Sequence, residues 1–132
     1  MELYDVQAST PQGAGLMLTE ADVQRGIRDL LERLGFAVFH TRFAIGSDTG
    51  FPDVVALSAD GLIIAVECKG PKGRIRPGQR EWIERFARVP SCLVAAIVGP
   101  ESGKDWIGYD EALELIRFEV EDVRTVHITE AS

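Results

Sequence analysis

Residues 50–70 read GFPDVVALSADGLIIAVECKG, and this stretch decides the fold. Two apolar runs, residues 54–57 and 62–66, flank the pair Asp60-Gly61. An Asp-Gly pair between two apolar runs is among the strongest short-range signals of a β-hairpin. The stretch therefore predicts two adjacent antiparallel strands.

Charged residues stand at the open end of this predicted hairpin. Asp53 begins the first strand, whereas Glu67 and Lys69 end the second, directly after five apolar residues. Side chains alternate along a strand, so Glu67 and Lys69 share one face and Cys68 points to the other. Asp53 joins the face of Glu67 only if the pairing register places it opposite an odd-numbered residue.

The length of the turn settles that register. A two-residue turn would pair Asp53 with Cys68 and place it on the wrong face. A three-residue loop over residues 59–61 pairs Asp53 with Glu67, and Gly61 can adopt the positive φ that such a loop requires. We therefore predict the three-residue loop or an equivalent bulge.

This pattern has a chemical meaning. Ionised groups at the end of an apolar strand need a partner or a metal ion. Two carboxylates and an ammonium group that converge there can bind a divalent cation and activate water, and oxygen ligands suit Mg²⁺ or Mn²⁺. A metal-free alternative is an ion pair between Glu67 and Lys69 beside Asp53.

The order Pro52-Asp53 and then Glu67-Cys68-Lys69 resembles the active-site signature of the PD-(D/E)xK nuclease superfamily. The flanking residues are similar to those of its VRR-NUC group over about residues 18–98. They are Gly50, Phe51, Gly70, Pro71, a basic glycine-containing loop, Pro77, Gln79 and an aromatic helix.

The resemblance implies Mg²⁺- or Mn²⁺-dependent hydrolysis of DNA phosphodiester bonds. Asp53 and Glu67 would hold the metal, together with the backbone carbonyl of Cys68. Lys69 would orient or deprotonate the attacking water. Stand-alone members resemble structure-specific endonucleases, some of which cut four-way junctions as homodimers.

The resemblance also implies roles for three further side chains. Glu20 or Gln24, one turn apart in the first helix, would complete the metal shell, and Gln79 would position Lys69 or water. Each has an ordinary alternative. Glu20 suits the positive end of a helix dipole, Gln24 suits a solvated surface amide, and Gln79 suits an ordinary amide at a helix start.

The net charge of −7 argues against a general nucleic-acid-coating protein. Residues 69–80 nevertheless contain five Lys or Arg and no acid. We interpret this loop as a local phosphate contact, although a solvated loop is the alternative. The residues expected to contact DNA are Lys72, Arg74, Arg76 and, on the loop before the hairpin, Arg42.

The remaining patterns predict one α/β domain with a mixed four-stranded sheet flanked by helices, which agrees with the restriction-endonuclease-like core that the resemblance implies. We divide the chain into a flexible leader (1–17), a nuclease domain (18–118) and an acidic tail (119–132). The predicted elements are helix 20–34, strand 36–41, the hairpin, a helix with Pro77 in its first turn, strand 91–98, helix 110–118 and a possible strand at 123–128. His40 is interpreted as a half-buried strand residue.

No apolar run approaches the ~20 residues that span a bilayer, and no secretory signal is apparent. We expect a cytoplasmic, bacterial or phage-encoded protein with reduced Cys68 and Cys92, no membrane partner, and DNA as substrate. Two alternatives keep the fold: a nucleic-acid-binding module or partner-dependent nuclease subunit, and an RNA-cleaving enzyme.

Overall fold

The computed structural model of the protein describes residues 17–40 and 50–131, and the side chains of α3 through residue 125. Three helices and five strands follow one another in this described part of the chain. They are α1 (Glu20–Arg33), β1 (Phe36–His40), β2 (Val54–Ser58), β3 (Ile63–Cys68), α2 (Gln79–Ala87), β4 (Cys92–Gly99), β5 (Ile107–Gly108) and α3 (Tyr109–Ala131).

The five strands form one mixed sheet in the order β1-β2-β3-β4-β5. The pairs β1/β2 and β2/β3 are antiparallel, whereas β3/β4 and β4/β5 are parallel. The predicted count of four strands is wrong by one. The additional strand, β5, contains only two residues and pairs Ile107 with Val98, so it is too short to leave a periodic pattern in the sequence.

The predicted hairpin register is confirmed. Val54 pairs with Val66 and Leu57 with Ile63, so the next position outward places Asp53 opposite Glu67. The loop holds three residues, because the backbone N–H of Ser58 donates to the carbonyl of Leu62 and that of Gly61 donates to Ser58. Gly61 has a φ of +86°, a conformation that only glycine adopts without steric cost.

Helix α1 forms as its local sequence dictates. The Thr19 side chain accepts a hydrogen bond from the backbone N–H of Asp22, while the Asp22 carboxylate accepts one from the backbone N–H of Thr19. This capping box satisfies two donors that the helix cannot use internally. Four buried residues line its inner face: Val23, Ile27, Leu30 and Leu31.

The main core lies between α1, α3 and one face of the sheet. Its sheet residues include Val54, Ile64, Val66 and Val98. Alternation along β3 directs Glu67 to the opposite face, which α2 covers through the buried Ile83. The core therefore fixes which face of the sheet carries the charged residues.

Helix α3 corrects the expectation for the end of the chain. It continues to Ala131 rather than ending at Phe118, so the possible strand at residues 123–128 is wrong. Val120 is fully buried in the core, and Arg124 donates to the carbonyl of Leu34 at 2.7 Å and pairs with Asp60. These contacts join the helix to the end of α1 and to the hairpin loop, and tertiary packing thus extends it.

Other differences are small. Helix α2 begins at Gln79 with Gly78 as its N-cap, so Pro77 precedes the helix instead of lying in its first turn. Both cysteines are free thiols. Within the described ranges, no helix is both long enough and apolar enough to cross a membrane. Residues 1–16 of the predicted leader lie outside the described part of the chain.

Candidate active site

The charged residues at the open end of the hairpin meet on the α2 side of the sheet. Asp53 is anchored there, since its Oδ2 accepts the backbone N–H of Cys68 at 2.9 Å. Glu67 and Lys69 are only 3% and 4% exposed, and Lys69 Nζ lies 3.4 Å from Glu67 Oε2. A buried pair of this kind is costly to desolvate, which makes it a candidate functional feature.

Gln79 links these side chains at the first position of α2. Its Oε1 accepts hydrogen bonds from Lys69 Nζ at 2.6 Å and from the backbone N–H of Arg76 at 2.7 Å. Its Nε2 donates to Glu67 Oε2 at 2.8 Å. The amide therefore uses both ends to hold Lys69 and Glu67 in fixed positions, which is more than an ordinary helix-start amide does.

One carboxylate oxygen remains without a partner. Glu67 Oε1 is buried and accepts no hydrogen bond from any residue that the structure describes. Burial and the nearby charge of Asp53 raise the pKa of Glu67 to about 8, despite the attraction of Lys69. An unpartnered buried oxygen beside a second carboxylate is suited to a cation, which would supply the missing interaction.

The donor set fits a hard divalent ion. Among the side chains that the structure describes, in residues 17–40 and 50–125, no three Asp, Glu, His or Cys side chains are gathered closely enough to enclose a metal. Mg²⁺ does not need such a cage, because it is commonly held by one or two carboxylates and keeps several waters. Asp53 and Glu67 meet that requirement.

Cys68 cannot contribute its sulfur to this site. The side chain points into the core on the other face of the sheet, and burial raises the pKa of its thiol. Any contribution of Cys68 to a metal is thus limited to its backbone carbonyl, the group that the family resemblance implies.

Glu20 approaches the site from the start of α1. A β-carbon on Gly70 would lie 3.2 Å from the backbone nitrogen of Glu20, so the helix start rests on the loop after β3. Partial burial, followed by the charge of Asp53, raises the pKa of Glu20. Gln24 lies one turn further along, and its Nε2 is 3.4 Å from Glu20 Oε2.

The basic loop borders the site. It lines an open groove of about 1020 Å³ together with Glu20. The side chains of Lys72, Arg74 and Arg76 are exposed to solvent along this groove. Arg42, the fourth residue expected to contact DNA, lies outside the described residues.

Three contributions to the site were not predicted. Phe51 packs edge-on against Trp82 and Phe86, with ring centroids 5.0 and 5.9 Å apart, and so holds α2 against the hairpin.

Gly50, at a φ of +91°, lies against the start of α2. His40 contacts Gln24 at 2.9 Å. A glycine and an aromatic residue before Asp53 were visible in the sequence, but their partners depend on tertiary packing.

The raised pKa of Glu67 predicts how the stability of the metal-free protein depends on pH. Between about pH 4.5 and 8 the folded protein holds a proton on Glu67 that the unfolded chain releases, so the free energy of unfolding falls as pH rises. We expect a loss on the order of a few kcal/mol across this window. In Glu67→Gln this contribution is absent.

The measurement is urea unfolding of both proteins in a chelating buffer at pH 5.5, 7 and 8.5. The other titrating groups are common to both proteins, so the difference between the two curves isolates Glu67. A difference that does not change with pH would contradict the prediction. Added Mg²⁺ should restore the stability of the wild type most at pH 8.5, where Glu67 is ionised.

Comparison with known proteins identifies the family. The model of the VRR-NUC domain matches residues 11–98. The protein named Endonuclease NucS from Arthrobacter sp. (strain FB24) is 32% identical over 94 residues, which are 70% of this chain and 38% of that protein. The chain thus spans well under half the length of this relative.

Two solved structures share the fold. One is described as a VRR_NUC domain, with a TM-score of 0.53 and 24% identity over 76% of this chain and 97% of its own. The other is described as a VRR_NUC domain protein. It has a TM-score of 0.52 and 23% identity, and the match covers 80% of this chain and 91% of its own. With the matching family model, the hairpin register and the site residues in their expected order, the chain belongs to the VRR-NUC nuclease family.

Proposed function

We propose that this protein is a Mg²⁺- or Mn²⁺-dependent DNA endonuclease. The observation that carries the proposal is the buried, unpartnered Glu67 Oε1 beside Asp53, at a site that also holds a buried lysine. A binding module has no need for two carboxylates and an ammonium group at such a cost in desolvation. The relative named as an endonuclease supports the reaction class.

The metal would be held by Asp53 and Glu67, with the backbone carbonyl of Cys68 and, through water, a group from the start of α1. When bound, the ion lowers the pKa of a coordinated water and offsets charge on the phosphate. The protein's contribution is to keep the two carboxylates in place. The backbone N–H of Cys68 does this for Asp53, and the amide of Gln79 does it for Glu67.

Lys69 supplies the proton chemistry and a positive charge. Its ammonium group is held by Gln79 Oε1 and Glu67 Oε2 and has little freedom to turn toward solvent. From this position the ammonium form of Lys69 orients the attacking water and stabilises the negative charge that develops on the pentacovalent phosphate, whereas only its neutral amine form would accept a proton from that water. Gln79 acts through Lys69 and Glu67, so we assign it a positioning role.

The basic loop would hold the DNA backbone. Lys72, Arg74 and Arg76 have exposed cationic groups along the groove that leads to the site. Contacts of this kind position a nucleic acid without reading its sequence. A loop that grips phosphates on an otherwise acidic protein also implies binding that weakens steeply with salt.

The double substitution Lys72→Ala with Arg74→Ala tests this contact. We expect the slope of log K against log salt to fall in magnitude by about 2, because each phosphate contact contributes roughly one unit. Binding of labelled duplex DNA, measured by fluorescence anisotropy in chelating buffer between 50 and 200 mM salt, gives the slope. Arg88→Ala, at the exposed end of α2, is the control and should leave it unchanged. Equal slopes for all three proteins would show that the loop is merely solvated.

We further propose that the preferred substrate is branched DNA, including four-way junctions, and that the protein acts as a homodimer that cuts two strands symmetrically. The support is the family to which the chain belongs, together with a site that lies on a small α/β core. Two-fold symmetry would place two such sites on equivalent strands of a junction.

The test of the proposed function is cleavage of labelled four-way junction, flap, duplex and single-stranded DNA, and of the matching RNAs, with Mg²⁺ or Mn²⁺. Asp53→Asn is run beside the wild type, and sedimentation gives the oligomeric state. Metal-dependent cutting of DNA that Asp53→Asn abolishes supports the proposal, and the products identify the preferred structure. Binding without cutting on every substrate would instead indicate a binding module or a partner-dependent subunit, and cutting of RNA alone would indicate a ribonuclease.

A further inference from the structure

A line of hydrogen bonds connects β1 with the candidate active site. His40 Nε2 lies 2.9 Å from Gln24 Oε1, and Gln24 Nε2 lies 3.4 Å from Glu20 Oε2. The three residues come from two elements, α1 and β1, and His40 is sixteen residues away from Gln24 in sequence. The line is therefore a product of packing and not of local helix structure alone.

The fold brings these three side chains together at one end of the sheet. His40 is the last residue of β1 and pairs with Val54, the residue next to Asp53. Glu20 begins α1 and lies against Gly70, directly after Lys69. The line thus starts at His40, near Asp53, and ends at Glu20, the first residue of α1.

The direction of each hydrogen bond follows from which atoms can donate and which can only accept. Gln24 Oε1 is an acceptor only, so His40 must donate from its Nε2. This hydrogen bond directs the amide nitrogen of Gln24 toward Glu20, whose carboxylate can only accept when ionised. An amide NH₂ group has no lone pair to offer a cation, and the amide oxygen, which could bind one, is directed at His40 instead of at the site.

We propose that His40 is a positioning residue that, through Gln24, orients the Glu20 carboxylate toward the cation site, so that Glu20 and not Gln24 is the α1 group that serves the metal, through a water molecule. This inference rests on the proposed function. It separates two candidates that the sequence leaves equivalent. Residues that orient metal-binding groups in this way commonly change metal affinity by about 10–100-fold when they are replaced.

The experiment measures Mn²⁺ affinity by isothermal titration calorimetry, with no DNA present. For His40→Leu and Gln24→Leu we expect affinity to fall by roughly 10-fold. His40→Gln should recover most of the loss, because the amide nitrogen of glutamine can replace Nε2 as donor. Thermal melts without metal show whether each variant is folded, and Gln24→Leu removes the same line if His40→Leu does not fold.

Glu20→Gln distinguishes the two candidate ligands. If Gln24 only positions Glu20, this change weakens Mn²⁺ binding more than Gln24→Leu does, because it removes the charged group itself. If Gln24 is itself the ligand, Gln24→Leu has the larger effect, and that result overturns the inference. Unchanged affinity in both His40→Leu and Gln24→Leu overturns it as well.

Failure of the proposed function has a different signature. In that case the wild type itself binds no Mn²⁺, and the role that we propose for Glu20 toward the metal is then wrong as well. The hydrogen bond has its own readout in the side-chain NH₂ signals of Gln24 in a ¹H–¹⁵N spectrum. These should shift in His40→Leu and return toward their original positions in His40→Gln. No shift in His40→Leu would show that the two side chains are not coupled in solution.

Discussion

We expect the replacement of Lys69 by methionine to lower the cleavage rate by about 10²–10⁴-fold, the range typical of a lost proton-transfer group. Methionine keeps most of the apolar stem, which packs closely against Gly73, but it removes the ammonium group. Glu67 then loses its buried cationic partner, while Asp53 keeps its hydrogen bond to the backbone of Cys68. We therefore expect a large fall in kcat with Mn²⁺ binding retained.

The measurement is single-turnover cleavage of the preferred DNA at saturating protein, so that chemistry is separated from binding. Lys72→Met is the matched control, because Lys72 is an exposed lysine three positions further along the chain. It should change binding to DNA and leave the rate at saturation close to that of the wild type. Equal rates for Lys69→Met and the wild type would remove Lys69 from the mechanism.

A third variant, Lys69→Arg, separates the two roles proposed for the lysine. Arginine keeps the positive charge but is never deprotonated in proteins. Partial activity that does not rise with pH would assign Lys69 to charge stabilisation. Loss as complete as in Lys69→Met would agree with proton transfer, provided that Mn²⁺ affinity shows the site to be intact.

The second large effect is expected from Gly50→Ala. Gly50 has a φ of +91°, and a β-carbon there would lie 2.6 Å from the backbone nitrogen of Gln79. The left-handed conformation alone costs a side chain roughly 1–2 kcal/mol, and overpacking against backbone adds about 1–3 kcal/mol. Because the obstacle is backbone at the start of α2, the strain should also displace Gln79 from Lys69 and Glu67.

Gly35→Ala is the matched control for this variant. Gly35 has the same φ of +91°, but a β-carbon there would have no neighbour within 4 Å among the described residues. Urea unfolding should therefore show a loss for Gly50→Ala that exceeds the loss for Gly35→Ala by the overpacking cost. Cleavage should fall only in Gly50→Ala. Equal destabilisation in the two variants would mean that α2 can move away from Gly50 freely.

Rules that relate neighbouring residues were sufficient to predict the hairpin and to identify the charged residues at its open end. Alternation along a strand and the positive φ of Gly61 determine the pairing of Asp53 with Glu67, and both are properties of a few neighbouring residues. The capping box of α1 is local in the same way. The order of motifs also identified the family that the comparisons confirm.

Local rules failed where an element depends on its neighbours. The two-residue strand β5 exists because β4 offers it an edge, and α3 continues past Phe118 because Val120 enters the core and Arg124 reaches the end of α1. The strand has no periodic pattern of its own, whereas in the helix Ala112, Ile116 and Val120 recur every four residues, a spacing that the acidic residues between them obscure. The acidic composition of residues 119–132 suggested a tail, whereas the buried face of the helix is carried by a few widely spaced residues.

For the site, the sequence by itself determined which groups stand at the strand ends and on which face of the sheet. Only the tertiary structure decided how they are connected: Gln79 joins Lys69 to Glu67 from a different element, and His40 joins Gln24 across sixteen positions. The physical reason is the distance along the chain over which each interaction acts. Strand alternation and turn geometry act between adjacent residues, but burial, the pKa of Glu67 and the choice of hydrogen-bond partners depend on every element that packs around the site.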